Sequence, residues 1–266
     1  MNFSHRLLAT LAGIAIAFAA STAIAQAPAK SRLHTILEKG VVRVGTTGDF
    51  NPMSIRDTTT STYKGFDIEA MEQLAKDMGV KVEWVPAEWA TLTAGLTSGH
   101  YDIFSGASLN MARAKVVAFS DPYFEAGTVP LAQRKDLAKL KSWTDINQKG
   151  VNVAVLMGTV FEEQAKQHFP NATVKSIAKP ANGYQEVLAG RAEVTITSNV
   201  EAATLMQTYP NLGLIGSTSE MRNKRPFAYP LPQGDAAWVT YVNNWIALKK
   251  SEGFFVALEN KWMPRK

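Results

Sequence analysis

Apolar positions recur with two different periods along the chain, and the changes between the two periods predict strands that alternate with helices. Apolar runs and period-two patterns predict strands at 41–47, 81–87 and 101–104, and a period near 3.6 predicts helices at 32–39, 66–78 and 89–98. Gly79 and Gly99 follow the last two helices, where a glycine commonly ends a helix. This alternation is typical of a parallel α/β sheet.

The same alternation starts again at residue 151. It predicts strands at 151–156, 173–177 and 193–197, and helices ending near 169, 188 and 207. The stretch 236–262 predicts one long or broken amphipathic helix without a new strand, so we expect it to pack on the first sheet. The pattern therefore predicts two α/β lobes joined by crossing segments near 129–133 and 227–231, and ligand sites favour the cleft between such lobes.

The N-terminus has the pattern of an export signal. Arg6 precedes an apolar run at 7–20, and Ala23-Ile24-Ala25 is a small-residue cleavage motif. We expect a signal peptide over 1–25, removed after Ala25, then the first part of lobe 1 over 26–130, an inserted lobe 2 over 131–229, and a return to lobe 1 over 230–266. The chain contains no cysteine, which fits an exported protein of the bacterial periplasm.

Composition narrows the chemistry further. The formal net charge is +5, but the basic residues are scattered and match no nucleic-acid-binding motif, so we expect no nucleic acid partner. The four histidines are too dispersed for a metal site. We find no phosphate-binding loop, dinucleotide fingerprint or nucleophile elbow, and we expect no cofactor.

The segment SGASLNMAR, residues 105–113, follows a predicted strand and begins a predicted helix. Ser108 or Asn110 can cap this helix, which places Arg113 in its first turn. A cation there opposes the helix dipole, but a guanidinium beside free backbone N–H groups can bind a carboxylate or phosphate. Alternatively, Arg113 pairs with a nearby acid such as Asp121.

Together these features resemble the bacterial extracellular solute-binding proteins of the polar-amino-acid type, over nearly all of the mature chain. The resemblance is carried by ILEKGVVRVGTTGDFNPMS, GFDIEAMEQLAKDMG, WATLTAGLTSGHYDIFSGASLNMARAKVVAFSDPY and VLMGTVFEE. It implies an α/β, two-lobed, type II periplasmic-binding-protein fold with a two-segment hinge. The implied function is capture of a small carboxylate-bearing solute, an amino acid or related organic acid, for the permease of an ABC transporter. We expect a monomer.

The resemblance also implies a ligand site. The carboxylate would be held by Ser108 and Arg113, in the motif that contains Gly106, and by Gly158 and Thr159 once the cleft closes. Phe50 and Trp89 would flank the ligand. They could instead be core residues, but a loop after Gly48-Asp49 and a helix start are poor positions for deep burial.

One position departs from the family pattern. Amino-acid receptors of this type usually carry an Asp that pairs with the ligand α-ammonium, and that position is Ser198 here. Since a hydroxyl does not replace a buried carboxylate, either the ligand lacks a conventional α-ammonium or another acid supplies the charge. The candidates are Asp49, Glu162 and Glu201. Asp49 could equally cap a loop, Glu162 could be an ordinary first-turn acid, and Glu201 could face solvent.

A second hypothesis is an enzyme. RLHTILEKGVVRVGTTGDF and the S-G-x-S-x-N-x-x-R form resemble the periplasmic cyclohexadienyl (arogenate/prephenate) dehydratases, which share this fold. That resemblance places the general acid on Glu162, whose pKa a closed, dry cleft would raise. The position at which those enzymes carry a lysine is Thr128 here, and this difference weakens the hypothesis.

Overall fold

The computed structural model describes residues 30–264, so the predicted signal peptide lies outside the described residues. The helices are α1 (Arg32–Lys39), α2 (Phe66–Met78), α3 (Leu92–Thr97), α4 (Met111–Ala114), α5 (Trp143–Ile146), α6 (Val160–His168), α7 (Gly183–Leu188), α8 (Asn199–Thr208), α9 (Ala236–Ser251) and α10 (Phe254–Trp262). The strands are β1 (Val41–Thr46), β2 (Asp49–Phe50), β3 (Ser54–Arg56), β4 (Tyr63–Lys64), β5 (Lys81–Pro86), β6 (Ile103–Phe104), β7 (Ala107–Ser108), β8 (Ala118–Phe119), β9 (Phe124–Gln133), β10 (Asn152–Leu156), β11 (Thr173–Ile177), β12 (Val194–Ser198), β13 (Leu212–Leu214), β14 (Arg222–Ala228) and β15 (Pro230–Leu231).

Each lobe is built on a parallel sheet. In the first lobe β1 lies between β5 and β6, and both pairings are parallel. In the second lobe β10 lies between β11 and β12, again in parallel. The ends of these strands that carry the functional loops are the carboxyl ends, where ligands bind in open α/β sheets.

Two long strands connect the lobes. β9 pairs antiparallel with β12 of the second lobe and with β14, and β14 pairs antiparallel with β7 of the first lobe. We call β9 and β14 the hinge strands. Residue 130 lies inside β9 and residue 229 directly follows β14, so the boundaries predicted at 130/131 and 229/230 fall at these strands and stay predictions.

The C-terminal helices pack on the first lobe. Trp238 and Trp245 of α9 and Phe255 of α10 belong to the same apolar cluster as Val42 and Val44 of β1. The helical stretch predicted over 236–262 is broken at Gly253, which has a left-handed conformation (φ 73°) that glycine adopts without strain. Within residues 30–264 no helix is long and apolar enough to cross a membrane.

Two of the predicted elements differ from the structure. The helix predicted over 89–98 begins only at Leu92, so Trp89 lies in the turn before α3. The crossing segment predicted near 227–231 is part of a longer strand that begins at Arg222, because β14 pairs with β9 between Arg222 and Phe227 and tolerates Pro226 within it.

Candidate ligand-binding cleft

A cavity lies between the lobes and encloses about 560 Å³, counting the part that is open to solvent. Both lobes and β14 contribute to its wall. The lining residues are Asp49, Phe50, Trp89, Ser108, Arg113, Leu156, Thr159, Val160, Phe161, Asn182, Tyr184, Thr195, Ile196, Thr197, Glu201, Leu205 and Phe227. We call it the cleft cavity.

Arg113 reaches the cleft cavity from α4. The predicted helix start is correct, and the cap is Asn110, whose side-chain oxygen accepts a hydrogen bond from the Arg113 backbone N–H at 2.8 Å. The guanidinium donates to the Ser108 carbonyl at 3.2 Å and to the Gly158 carbonyl at 3.1 Å. The alternative partner Asp121 is exposed and makes no ion pair with it.

The charge of Arg113 has no carboxylate partner among the described residues, although the residue is only 8% exposed. Burial lowers its pKa to about 10, the exposed Glu163 raises it and Arg225 lowers it further. The group is still charged at neutral pH. A buried charge without an opposite charge is unfavourable, so this site is prepared for an anion.

Aromatic rings form the apolar part of the cleft cavity. Phe50 is stacked on Phe227, with centroids 5.9 Å apart, and meets Trp89 edge to face at 5.9 Å. The guanidinium of Arg113 lies over the Trp89 ring, 5.8 Å from its centroid. The expectation that Phe50 avoids deep burial is wrong, since pairing of β2 with β3 and stacking on Phe227 leave it 6% exposed.

Two carboxylates line the same cavity. Glu201, in the first turn of α8, is 7% exposed, so the alternative that it faces solvent is wrong. Burial raises its pKa to about 8, Asp49 raises it as well, and a hydrogen bond from the Thr197 hydroxyl opposes the shift. Asp49 accepts a hydrogen bond from Trp89 Nε1 at 3.0 Å, which places Trp89 between Asp49 and Arg113. We call Asp49 and Glu201 the acid pair.

Glu162 lies outside the lining of the cleft cavity. Its carboxylate accepts hydrogen bonds from the Gly158 backbone at 2.7 Å, from Ser176 Oγ at 2.5 Å and from Lys166 Nζ at 2.6 Å. Partial burial raises its pKa, but these donors outweigh it and the net shift is downward. The expected rise in pKa is therefore wrong, and the neighbouring Phe161 is the side chain that reaches the cavity.

The other predicted site residues have local structural partners. Ser198 is buried and caps α8 by accepting from the Glu201 backbone N–H at 3.1 Å, and it does not line the cleft cavity. Thr159 caps α6 and does line the cavity. Gly106 does not line it; a Cβ at that position would collide with the Tyr123 hydroxyl.

Direct contacts between the lobes close the cleft. Besides the bond from Arg113 to Gly158, Lys179 Nζ of the second lobe donates to the Thr47 carbonyl at 2.7 Å and lies 3.2 Å from Asp49 Oδ2. Gly158 also approaches the first lobe so closely that a Cβ would collide with the Ala90 backbone. The structure is thus the closed form.

The sequence did not identify several residues of the cavity. Phe161, Tyr184 and Phe227 all line it. Phe227 lies between two prolines in a predicted crossing segment, and this position was the one sequence feature that could have indicated its place in the cavity. Across residues 30–264, no cluster of three or more His, Cys, Asp or Glu side chains is arranged to hold a metal ion.

Comparison with known proteins agrees with this architecture. The sequence profile of the bacterial extracellular solute-binding proteins, family 3, matches residues 42–265. Cyclohexadienyl dehydratase from Pseudomonas aeruginosa is 31% identical over 268 residues, covering 98% of this chain and 95% of the relative. The L-cystine-binding protein TcyJ from Escherichia coli (strain K12) is 26% identical over 264 residues, covering 98% and 97%. The solved structure of the ancestral amino acid-binding protein AncCDT-1, a precursor of cyclohexadienyl dehydratase, has a TM-score of 0.81 and 35% identity, covering 87% of this chain and 99% of that one.

The fold and the enclosed cleft define a two-lobed binding protein for a small solute, with the type II periplasmic-binding-protein fold predicted from the sequence. Within that class, the chain belongs to the bacterial extracellular solute-binding proteins, family 3.

Proposed function

We propose that this protein is a periplasmic receptor that captures a small carboxylate-bearing solute by closing its lobes and delivers it to the permease of an ABC importer. The observation that carries the proposal is the buried guanidinium of Arg113, which lines the cleft cavity and, among the described residues, donates hydrogen bonds only to two backbone carbonyls. A ligand carboxylate would supply the missing negative charge through paired hydrogen bonds. The N-terminus of α6, beside Thr159, adds the favourable end of a helix dipole.

The acid pair defines the second feature of the ligand. Glu201 and Asp49 face the cavity from opposite lobes, and neither Glu201 oxygen has a cationic partner in the described part of the chain. A positively charged group on the solute would favour the ionised form of Glu201, which burial and Asp49 disfavour in the solute-free protein. We therefore propose a zwitterionic ligand whose apolar part lies against Phe50 and Trp89. In this arrangement Glu201 takes the role of the aspartate that related receptors carry at the position of Ser198.

A thermal-shift screen of amino acids, keto acids and aromatic acids tests the proposal. A true ligand at about 100 times its dissociation constant should raise Tm by roughly 5–10 °C. Arg113→Ala should remove this shift and leave an unliganded protein that still folds, whereas the exposed control Arg56→Ala should keep it. Normal binding by Arg113→Ala would overturn the proposal, and binding confined to solutes without a cationic group would overturn the part assigned to the acid pair.

The second candidate function is a dehydratase, which the 31% identity to cyclohexadienyl dehydratase favours. Loss of a hydroxyl as water requires a proton donor at the leaving oxygen. Glu162 does not line the cleft cavity, whereas Glu201 lines it and has the raised pKa that such a donor needs. Incubation with prephenate and with arogenate separates the candidates: turnover lost in Glu201→Gln but kept in Glu162→Gln supports this enzyme, and no turnover by the unmodified protein removes it.

A further inference from the structure

A second, smaller cavity lies beneath the hinge strands and encloses about 190 Å³, counting the part that is open to solvent. Its wall is formed by β9, β14, α6 and the end of β7, and it shares Ser108, Val160, Phe161 and Phe227 with the wall of the cleft cavity. Its polar lining consists of Ser108, Thr128, Gln164, Ser198, Asn223 and Arg225. We call it the hinge cavity.

Gln164 gives the first indication of an occupant. The residue is 1% exposed, and neither its amide nitrogen nor its amide oxygen has a hydrogen-bond partner. Buried side-chain amides are almost always hydrogen-bonded, because leaving them unpaired forfeits their bonds to water. A species in the hinge cavity that accepts hydrogen bonds would satisfy the amide nitrogen of Gln164.

The charges of the residues that line the hinge cavity indicate the chemical class of the occupant. Among the described residues, the side chain of Arg225 has no ion-pair or hydrogen-bond partner, and a second cation, Arg113, lies close enough to interact with it electrostatically. The described lining of the hinge cavity includes neither Asp nor Glu. Ser198 already accepts a bond from the Glu201 backbone, so its hydroxyl hydrogen is left to donate. A cation surrounded by donors favours an anion over a cation or a neutral molecule.

The backbone of β14 is irregular at the same place. Its pairing with β9 shifts register between Arg222 and Arg225, and Asn223 between them has a left-handed conformation (φ 48°). A bulge of this kind redirects a side chain, and backbone conformations that non-glycine residues rarely adopt are concentrated at functional sites. The irregularity accompanies the placement of Arg225 in the wall of the hinge cavity.

We propose that the hinge cavity binds a small inorganic monovalent anion such as chloride, held by the guanidinium of Arg225 and the side-chain amide of Gln164. Neither Arg225 nor Gln164 lines the cleft cavity, although the two cavities share Ser108, and the proposal does not depend on the identity of the solute. Because its wall includes both hinge strands and α6, the ion would tie the second lobe to the hinge. Binding to the folded state alone raises stability by mass action.

The test compares Tm of the solute-free protein in sodium chloride and in the sodium salt of a bulky sulfonate buffer at equal ionic strength. Chloride should raise Tm by roughly 2–5 °C. Arg225→Gln and Gln164→Leu should each lose this increment, whereas Lys224→Gln, which removes an exposed charge one residue away, should keep it. Arg113→Gln should retain part of the increment, since it keeps Arg225 and Gln164 but removes a positive charge that interacts with Arg225.

Equal Tm in the two salts would overturn the proposal and leave water as the occupant. An increment lost in Arg113→Gln but kept in Arg225→Gln would overturn it in favour of chloride in the cleft cavity. Crystals grown in bromide give a second readout that requires no variant. An anomalous peak beside Arg225 and Gln164 is expected, and a structure without one would contradict the site.

Discussion

At Glu201 a single side chain combines deep burial with a nearby negative charge. Burial, and then Asp49, raises its pKa from 4.5 to about 8. Below pH 4.5 both the folded and the unfolded protein hold the proton. Between pH 4.5 and about 8 only the unfolded state releases it, so the free energy of unfolding falls as pH rises through this window and levels off above it.

This dependence predicts the behaviour of Glu201→Gln. The variant should be more stable than the unmodified protein at pH 8, with the difference shrinking towards pH 5, because glutamine carries no charge to desolvate. Each unit of pKa shift corresponds to about 1.4 kcal/mol, or roughly 3–6 °C in Tm for a chain of this size. Thermal unfolding from pH 5 to pH 9 measures it. Glu163→Gln, an exposed neighbour of the cleft, should retain the unmodified slope, and parallel curves for Glu201→Gln and the unmodified protein would contradict the assignment.

Among the elements, the turn between β10 and α6 brings the second lobe onto the first. Gly158 in this turn has φ 77°, and a Cβ there would meet the backbone of Ala90 in the opposite lobe. Gly158→Ala should therefore obstruct closure in addition to its conformational cost of about 1 kcal/mol. We expect a small loss of Tm without solute and loss of most of the solute-induced rise, both measured by thermal shift.

Gly190 provides the matched control for that variant. Its φ is 71° and a Cβ there has no atom within 4 Å, so Gly190→Ala carries the same conformational cost without obstructing the lobes. Gly158→Ala should lose somewhat more Tm than Gly190→Ala in the absence of solute, because it also disfavours the closed form, and the difference should widen in the presence of solute. If Gly158→Ala binds the solute as well as Gly190→Ala does, the lobes do not approach at this turn when the solute binds.

The long elements were predictable from the sequence because each repeats its period several times. Helix α2 was predicted residue for residue, and the strands of both parallel sheets within one or two residues. Two-residue strands such as β2 and β7 have no period to detect. Strand β7 pairs with Phe227 and Ala228, which are distant from it in the sequence. The burial of Phe50 also depends on that distant strand, because Phe50 stacks on Phe227.

The site was predictable to the extent that it is local. SGASLNMAR indicated an anion site, and the structure places Arg113 and Ser108 of this segment in the cleft cavity. Glu162 does not line the cleft cavity, where its neighbour Phe161 does, but it lines an adjoining pocket with Arg113 and Thr159, and its role at the ligand site stays a prediction. Glu201 was named as a candidate, but its burial depends on how the second lobe packs across the cavity, which no short motif encodes.

In the whole molecule, closure without solute depends on a small number of contacts between the lobes. Lys179 makes two of them, the bond to the Thr47 carbonyl and the ion pair with Asp49. Its charge also compensates Asp49 in the absence of a ligand cation. The closed form is therefore held by a lysine at the position where the proposed solute would bring its own positive charge.

Lys179→Met should shift the solute-free protein towards the open form. Loss of about 1–2 kcal/mol changes the ratio of closed to open molecules roughly 5- to 30-fold, and small-angle X-ray scattering should show a larger radius of gyration. Lys175→Met is the control, since Lys175 bonds the Arg191 carbonyl within the second lobe and should leave the radius unchanged. Saturating solute should return Lys179→Met to the radius of the liganded unmodified protein, because the ligand stabilises closure through its own contacts with both lobes. An unchanged radius in solute-free Lys179→Met would mean that the hinge strands, and not this contact between the lobes, determine the closed form.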